Sequence, residues 1–363
     1  MTPILKTVLA AAMLLAGRMA GGQELYPIVK GRQWGFMDKA GEVVVTPRYT
    51  CAWDFSEGLA CVQVGLLRGY VDTNGNMTVP PSYFLACPFS EGLAAVYRDA
   101  ERWGHFMIFN GGSGRWVYID KTGRVAIDPK VRLDAFAGEF HEGMARVAYG
   151  AQQGLLTTNG TLVVTGGVAS VYAGGCSEGM AAFQRAGGKF GFVDTNGQCV
   201  IQAHYEDAGD FSEGLARVRT GTMWQFIDRT GKQAFEGRFD DARDFAGGLA
   251  AVRVAPPDGA AAKTRPPKGQ WGCIDKAGKI VIEAKYEFVG PLSEERARVV
   301  VASPSSTNAA RTLHGYIDAS GAMVIQPVYD CGWEFSKGLA RVRVGDTEGY
   351  IDKTGRYVWE PSF

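Results

Sequence analysis

Residues 175–179 read G-C-S-E-G and match G-x-S-x-G, the pattern in which a serine hydrolase presents its nucleophile. That chemistry requires Ser177 at a strand-to-helix corner, with a histidine and an acid within reach. The same stretch recurs along the chain with His141 or Ala246 in place of the serine. The recurring stretch therefore does not require a nucleophile at this position, and we interpret it as a turn between two strands.

Other residues capable of chemistry are scattered or serve in turns. The histidines lack the spacing of a metal site, and the Asp-x-x-Gly stretches lack the later acid of a calcium loop. One repeated acid is more suggestive, because equivalent positions in a closed array would converge. It forms either solvated turns paired with arginine or a row that binds metal or amines. The histidines are His105, His141, His204 and His314, and the acids are Glu57, Glu91, Glu142, Glu178 and Glu213.

Two motifs alternate along the chain, which is the signature of a repeat architecture. A core of the form G-aromatic-aliphatic-D-x-x-G occurs nine times, with variations, and a motif of the F-S-E-G-L-A type occurs eight times between the cores. The cores start at residues 35, 69, 117, 154, 191, 225, 272, 315 and 349, and the second motif starts at residues 55, 89, 140, 176, 211, 245, 292 and 335.

Each motif predicts a hairpin. In D-K-T-G the aspartate caps the turn with its own carboxylate, and the glycine takes the left-handed conformation that closes the loop. The S-E-G turn again needs a glycine, and the LARVRV type of strand after it alternates with period two. Each repeat therefore predicts three or four short antiparallel strands, and no stretch beyond the N-terminal leader shows a helical period.

The G-Y-I-D strand predicts how the repeats assemble. Its tyrosine and isoleucine point to opposite faces, yet both are large and apolar, so the sheet must be covered on both sides. Small sheets stacked face to face satisfy this requirement. We expect an all-β tandem repeat of short antiparallel units, propeller-like, with about eight units and an N-terminal hairpin. The alternative is an open superhelical β-array.

The two motifs together resemble the bacterial WG-repeat family over nearly all of residues 30–361. The Trp-Gly signature occurs at Trp34-Gly35 and Trp271-Gly272, and F-S-E-G-L-A accompanies it. The fourth core departs at Thr157 and the sixth at Gln225. The resemblance implies β-rich repeats used for binding or scaffolding, with no catalytic residue to carry over.

The N-terminus predicts export. Lys6 precedes an apolar run and small residues, as in a secretory signal peptide over residues 1–22, with cleavage before Gln23. The run is shorter than the roughly 20 apolar residues of a membrane span, and no other segment reaches that length. We expect residues 23–363 to form one soluble exported domain, periplasmic or extracellular, without a transmembrane segment.

The charge balance restricts the possible classes of partner, and the cysteine content indicates the redox state of the thiols. Lysine plus arginine and aspartate plus glutamate are equal at 38 each, so no field of one sign gathers nucleic acid. The seven cysteines are an odd number without paired spacing, which favours buried thiols. Cys51 and Cys61 flank one turn and are the only pair predicted as a possible disulfide.

Three repeats are longer than the others, and all three lengthen the same strand connection: residues 98–115, 255–270 and 302–313. Insertions of this kind fall on one face of a repeat array, often the binding face. The candidate ligand-binding residues are Trp103, His105 and Arg115 in the first insertion and Lys263, Arg265 and Lys268 in the second.

Two functions remain open. The first is a non-enzymatic exported binding or scaffold module that presents these loops to a protein, a peptide or an envelope glycan. The second is a glycan-acting or other hydrolase with its site on the insertion face, which requires two close carboxylates. We expect the acids of that face to be solvated, and no catalytic residue, metal site or cofactor is predicted.

Overall fold

The protein is all-β in every part of the chain that the computed structural model describes. Those parts are residues 24–98, 114–129, 133, 136–149, 152–163, 168–171, 176–185, 187–254, 270–302 and 312–360. They contain 34 strands in nine small antiparallel sheets. The predicted class, a tandem repeat of short antiparallel units with propeller-like sheets, is confirmed.

We number the sheets in chain order and call the strands of a complete sheet A, B, C and D. Sheet 1 lacks strand A, and sheet 6 lacks strand D in its ladder, among the described residues. Sheets 1 to 4 comprise β1 Leu25–Lys30, β2 Gln33–Asp38 and β3 Val43–Tyr49; β4 Cys51–Ser56, β5 Leu59–Val64, β6 Leu67–Asp72 and β7 Met77–Tyr83; β8 Leu85–Ala86, β9 Ala94–Arg98, β10 Arg115–Ile119 and β11 Val125–Ile127; and β12 Phe136–His141, β13 Met144–Tyr149, β14 Gln152–Thr157 and β15 Leu162–Val163.

The remaining five sheets repeat the same order of strands. Sheets 5 to 9 comprise β16 Val168–Val171, β17 Met180–Arg185, β18 Phe190–Asp194 and β19 Cys199–Tyr205; β20 Asp207–Ser212, β21 Leu215–Thr220 and β22 Met223–Asp228; β23 Asp241–Ala242, β24 Ala250–Val254, β25 Gln270–Ile274 and β26 Ile280–Tyr286; β27 Phe288–Ser293, β28 Arg296–Ala302, β29 Thr312–Ile317 and β30 Met323–Tyr329; and β31 Cys331–Gly332, β32 Leu339–Val344, β33 Thr347–Asp352 and β34 Tyr357–Trp359.

The chain divides into two compact units. The first takes in the described residues of Met1–Gly112 and Tyr118–Ala126, and the second takes in those of Ser113–Val117 and Ile127–Phe363. Each hydrogen bond, ion pair and ring contact between sheets that is described below joins residues of a single unit.

The turn between strands C and D is built by its aspartate, as the sequence predicts. Oδ1 of Asp72 accepts hydrogen bonds from the backbone N–H groups of Asn74 at 2.9 Å and Asn76 at 2.8 Å. Gly75 lies at φ 80° and donates its N–H to the carbonyl of Asp72. The aspartate thus satisfies the loop's own donors, which is turn chemistry.

The turn between strands A and B is tighter than the sequence suggests. Ser56 pairs directly with Leu59, so only Glu57 and Gly58 form the turn, at φ 52° and 85°. Both central residues are left-handed, as in a type I′ hairpin. A left-handed glutamate costs about 1–2 kcal/mol, yet the same conformation recurs at Glu91, Glu142, Glu178, Glu213 and Glu294. Lys337 of sheet 9 adopts it as well, at φ 56°, so the turn imposes this conformation whether or not a carboxylate is present.

The glycine of the G-aromatic signature is required by a close approach of two backbones. Strand C pairs with strand D through an irregular register, and strand D bends over the glycine. A Cβ placed on Gly191 would lie 2.4 Å from the carbonyl oxygen of Ile201 and 2.7 Å from the nitrogen of Ala203. Only a residue without a side chain fits there. The equivalent glycines Gly35, Gly69, Gly272 and Gly315 show the same approach.

The core confirms that the sheets are covered on both faces. Adjacent residues of strand C, such as Tyr70 with Val71 and Tyr316 with Ile317, are all fully buried although they point in opposite directions. The aromatic of strand C meets the phenylalanine of the next sheet's F-S-E-G motif edge to face. Ring centroids lie 4.7–5.0 Å apart in Phe36–Phe55, Tyr70–Phe89, Phe192–Phe211, Phe226–Phe245 and Tyr316–Phe335.

Replacing Gly191 with alanine tests the backbone approach. Because the new methyl would overlap strand D, we expect a loss of about 3 kcal/mol in unfolding free energy. Gly221→Ala is the control, since a Cβ built on Gly221 has nothing within 4 Å and its only penalty is the left-handed backbone, at φ 62°. The control should cost about 1 kcal/mol. Equal losses of thermal stability for the two variants, measured by calorimetry, would contradict the steric explanation.

Candidate binding face

Each sheet has two chemically different ends. The turn end carries the A–B and C–D turns, for example Glu57–Gly58 and Thr73–Gly75 in sheet 2. The loop end carries the B–C connection, which in sheet 2 is a two-residue turn at Gly65 and Leu66 between the paired residues Val64 and Leu67. Sheets 1, 6 and 9 have B–C turns of the same length.

Three extended connections all leave from the loop end. They belong to sheets 3, 7 and 8 and lie outside the described residues, but their anchors are described. Val254 pairs with Gln270, and Ala302 pairs with Thr312, so both hairpins stay paired up to the point where the connection begins. In sheet 3 strand B ends at Arg98. In the second unit, the insertions of sheets 7 and 8 therefore leave from the same end of their sheets. That all three insertions share one face stays a prediction.

Of the predicted ligand-binding residues, only Arg115 is described. It begins β10, is exposed, and forms an ion pair with Asp128, with 2.5 Å between Nη2 and Oδ2. Both side chains are 45% exposed, so the pair contributes little to stability. The other five residues lie outside the described residues: Trp103, His105, Lys263, Arg265 and Lys268.

An arginine stacked on an aromatic ring is a feature that the sequence analysis missed. In sheet 2 the guanidinium of Arg68 lies 4.3 Å from the ring centroid of Trp53, and in sheet 9 that of Arg341 lies 4.1 Å from Trp333. Such cation–π contacts stabilise by about 0.5–2 kcal/mol. Related pairs are Arg146–Phe136, Arg217–Trp224, Arg243–Trp271 and Arg298–Phe288.

These arginines occupy different strands but the same region of the sheet. Arg243 directly follows strand A of its sheet, Arg217 comes from strand B and Arg68 from strand C. The sequence carries a signal for this, because each of these repeats has one arginine among three positions that antiparallel register brings together. The signal is visible only once the register is known.

Some of these arginines also tie one sheet to the next. Arg217 Nε lies 2.8 Å from Oδ1 of Asp244, across the junction between sheets 6 and 7. A Cβ on Gly209 would lie 2.4 Å from that carboxylate oxygen, so the glycine makes room for the bridge. Arg298 contacts Glu334 in the same way between sheets 8 and 9, at 3.3 Å.

The repeated glutamates of the turn end link neighbouring sheets. We call such a link a clasp: the carboxylate of one sheet accepts backbone N–H groups from the A–B turn of the next sheet. Glu142 accepts the backbone N–H groups of both turn residues of the next sheet, Glu178 and Gly179. Glu213 accepts the N–H of Gly248 at 3.1 Å and pairs with Lys276 at 3.0 Å. The row therefore holds neighbouring turns together, which compensates for its left-handed backbone. Further clasps join Glu57 to Gly92 and Lys121, Glu178 to Gly214 and Arg229, and Glu294 to Gly338 and Lys353.

The clasp of Glu142 favours its ionised carboxylate. The hydrogen bond from the N–H of Gly179 lowers the pKa of Glu142 below its usual 4.5, against the opposing effect of burial. A lowered carboxyl pKa means that the clasp stabilises fully above the unfolded value and is lost as the pH falls through the folded one.

The apparent nucleophile elbow is one of these turns. Glu178 and Gly179 are its two left-handed residues, and Ser177 pairs with Met180 across the hairpin. The Ser177 hydroxyl donates a hydrogen bond to the carbonyl of Phe211 in the next sheet, at 2.7 Å. The interpretation of G-C-S-E-G as a strand-to-strand turn is confirmed.

The structure does not pair the two flagged cysteines. Because the A–B turn sets Ser56 against Leu59, the residue opposite Cys51 is Gln63 and the residue opposite Cys61 is Tyr70. Both thiols are free, and burial raises the pKa of Cys61 to about 12. At neutral pH this thiol is therefore protonated and a poor nucleophile.

His314 is the histidine with a distinct environment. It stands in strand C where other repeats carry the tryptophan of the signature. Its Nδ1 accepts the backbone N–H of Gly332, at 3.1 Å, and lies 3.3 Å from Nη1 of Arg298. Burial, Arg298 and Arg343 hold its pKa below the usual 6.5, although Glu334 acts in the opposite direction. The ring is therefore neutral at pH 7 and tautomerically fixed.

Within the described ranges, no three or more histidine, cysteine, aspartate or glutamate residues come together as metal ligands. A search of the same residues also finds no helix with the length and apolarity that a membrane crossing requires.

The repeat signature decides the family. The family model described as "WG containing repeat" matches residues 34–65, 69–100, 116–150, 190–224, 224–255, 271–302 and 315–347. The chain belongs to the WG-repeat family. The fourth and ninth cores, starting at residues 154 and 349, lie outside the matched WG repeats, yet both form strand C of a complete sheet.

Solved structures resemble this WG-repeat protein in fold. The crystal structure of a eukaryotic initiation factor is 10% identical, with a TM-score of 0.61, over 95% of this chain and 96% of that chain. The designed Ika8 protein is 9% identical, with a TM-score of 0.43, over 94% and 97%. BamB from Moraxella catarrhalis is 14% identical, with a TM-score of 0.37, over 92% of both chains. The first likeness shows a shared fold alone. No curated protein matches the chain.

The environment of His314 predicts a pH dependence of stability. A depressed histidine pKa means that the unfolded chain takes up the proton first, so stability is complete above 6.5 and declines as the pH falls below it. We expect His314→Gln to flatten the decrease of melting temperature between about pH 7.5 and pH 5, a decrease of a few degrees in the native chain. His204→Gln, which replaces an exposed histidine, is the control and should keep the native slope. If both variants keep that slope, His314 is not its source.

Proposed function

We propose that this WG-repeat protein is a non-enzymatic, exported binding module that captures a protein or peptide partner through the loop end of its sheets. The sheets are its scaffold, and the extended B–C connections are its recognition elements. An envelope glycan is the other partner class that the same connections would suit.

The anchors of the extended connections carry this proposal. All three connections replace two-residue turns at the loop end, whereas the turn end keeps short turns throughout the described residues. Segments held on a rigid scaffold at one face are the usual way in which repeat proteins present a binding surface. The composition of the second connection, with prolines beside Lys263, Arg265 and Lys268, suits an acidic protein surface.

The use of the acids supports a binding role over hydrolysis. The repeated aspartates cap their own turns, and the repeated glutamates clasp neighbouring sheets. A glycan hydrolase needs a pair of carboxyl groups separated by about 5–10 Å with different proton affinities. The acids of the motifs are instead engaged in holding the scaffold together.

Loop replacement tests the proposal. Residues 99–113, 255–269 and 303–311 are each replaced by the two-residue Gly-Leu turn of sheet 2, singly and together, and the mature chain is used to capture partners from an envelope extract. We expect at least one replacement to abolish capture of a specific protein that the native chain retains, because the binding loop is gone while the hairpin remains closed. Lys279→Ala, at the exposed turn end, is the control and should capture normally.

Two outcomes would count against the proposal. If the triple replacement retains the same partners as the native chain, the loop end is not the binding face. Loss of capture on periodate treatment of the extract, with no loss on protease treatment, would assign the site to glycan in place of protein.

Export is tested separately by expressing the full chain in a bacterium and sequencing the N-terminus of the protein in each fraction. We expect a mature form that begins at Gln23 outside the cytoplasm, because residues 1–22 have the features of a signal peptide. A chain that keeps its first residues and stays in the cytoplasm would contradict export.

A further inference from the structure

The junction between sheets 7 and 8 differs from the junctions between sheets 6 and 7 and between sheets 8 and 9. The two outer junctions are held by the same set of links. Between sheets 6 and 7, Ser212 donates its hydroxyl to the carbonyl of Phe245, at 2.7 Å, and Glu213 clasps Gly248 and Lys276. The junction of sheets 8 and 9 has the same links, from Ser293 to Phe335 and from Glu294 to Gly338 and Lys353.

The junction between sheets 7 and 8 has lost each of these links through the residue types present. Ala246 replaces the serine, Gly247 replaces the clasping glutamate, and Ala319 replaces the lysine of the C–D turn. Alanine and glycine carry no group that could donate, accept or pair. Both partners of the ion pair, the glutamate and the lysine, are therefore absent at this junction.

The other two kinds of link are also missing at this junction. The edge-to-face aromatic contact, present as Phe226–Phe245 on one side and Tyr316–Phe335 on the other, is replaced by Cys273 and Leu292. The bridge from arginine to acid, present as Arg217–Asp244 and Arg298–Glu334, is replaced by Ala251 and Pro291.

The turn at this junction is also strained. Its two central residues are Glu294 and Glu295, at φ 50° and 68°, whereas the second position is a glycine in the A–B turns of sheets 2, 6 and 9. A non-glycine residue is disfavoured there by its Cβ. The A–B turn of sheet 8, which would donate to the missing clasp, therefore has a less favourable backbone conformation than the equivalent turns.

Contact across this junction is mainly apolar. Trp271, Cys273 and Ile282 of sheet 7 pack against Val289 and Ile317 of sheet 8 in one buried cluster. The rings of Trp271 and Phe288 also meet across the junction, with 5.7 Å between centroids and 53° between planes, and the guanidinium of Arg243 lies 5.6 Å from the same Phe288 ring. Packing of this kind, held by apolar and ring contacts, allows separation more readily than packing with hydrogen bonds and ion pairs.

We propose that the junction between sheets 7 and 8, which we call the seam, is a weak junction of the second unit. At the seam the two sheets separate more readily than sheets 6 and 7 or sheets 8 and 9. The seam is also distinguished at the loop end, where both of its sheets carry extended B–C connections. Separation at the seam would change the spacing between the anchors of those two connections. This inference depends on the links at the turn end and does not require the proposed binding function.

Hydrogen exchange of the native mature chain, followed by mass spectrometry, tests the seam. The informative peptides cover strands A and B of sheets 7 and 8, which border the seam, and the equivalent strands of sheets 6 and 9 are the internal references. We expect the amides of sheets 7 and 8 to exchange at least tenfold faster than their equivalents, because local opening at the seam requires fewer links to break.

Two matched variants reverse and transfer the effect. The repair variant combines Ala246→Ser, Gly247→Glu, Glu295→Gly and Ala319→Lys. It should slow exchange at the seam to the rate of the neighbouring junctions. The nearest methyl of Leu292, which lies 2.9 Å from a Cβ built at residue 247, must rotate away in this variant. The opposite variant, Ser212→Ala, Glu213→Gly and Lys276→Ala, should create fast exchange between sheets 6 and 7.

Equal or slower exchange at the seam of the native chain would overturn the proposal. So would a transfer variant that folds, as judged by its circular dichroism, and leaves exchange between sheets 6 and 7 unchanged. Because the native chain supplies the first comparison, the test does not depend on the folding of either variant.

Discussion

Burial on both faces of a thin sheet is the constraint on which this structure depends. Neighbouring residues of strand C, such as Phe36 and Met37, are large, apolar and fully buried although they point in opposite directions. A three- or four-stranded sheet with two apolar faces is unstable alone, since each face loses the stabilisation of about 25 cal/mol per Å² that burial gives. Such a sheet therefore needs a neighbour on each apolar face, and within a unit the next repeat supplies one, as sheet 2 does for sheet 1.

Two further requirements follow from that constraint. The sheets must be thin enough to stack, and the glycine before the strand C aromatic meets this need by letting strand D bend over strand C. They must also be kept in register with each other, which apolar surfaces alone do poorly. The glutamate clasps and the serine hydroxyls fix the register, as Glu213 and Ser212 do between sheets 6 and 7. Side chains that look like candidates for chemistry in the sequence are thus used to align sheets.

The departures from the repeat are the informative positions. His314 stands where a signature tryptophan is expected and brings a titratable group into a sheet junction. Gly247, Glu295 and Ala319 remove the directional links from one junction and leave apolar packing. The extended connections occur only at the loop end of the described sheets. The turns of the turn end stay short because most of their residues hold neighbouring sheets, whereas the connections at the loop end vary in length.

The sequence alone determined the class of the fold, because turn glycines, capping aspartates and strand alternation are local signals that each hairpin obeys without help from distant residues. It also predicted that G-C-S-E-G is a turn, since Ser177 has equivalents that could not act as nucleophiles. It could not determine what the glutamates do: Glu142 meets Gly179 only when two sheets are stacked, and the stacking distance is a tertiary property. For the same reason the loss of links between sheets 7 and 8 appears only once the neighbouring sheets are fixed. The arginine–aromatic pairs and the opposition of Cys51 to Gln63 lie within one sheet but depend on its register, which the motifs alone do not specify. The chemistry of each turn follows from the order of residues, whereas register and contacts between hairpins follow from pairing and packing.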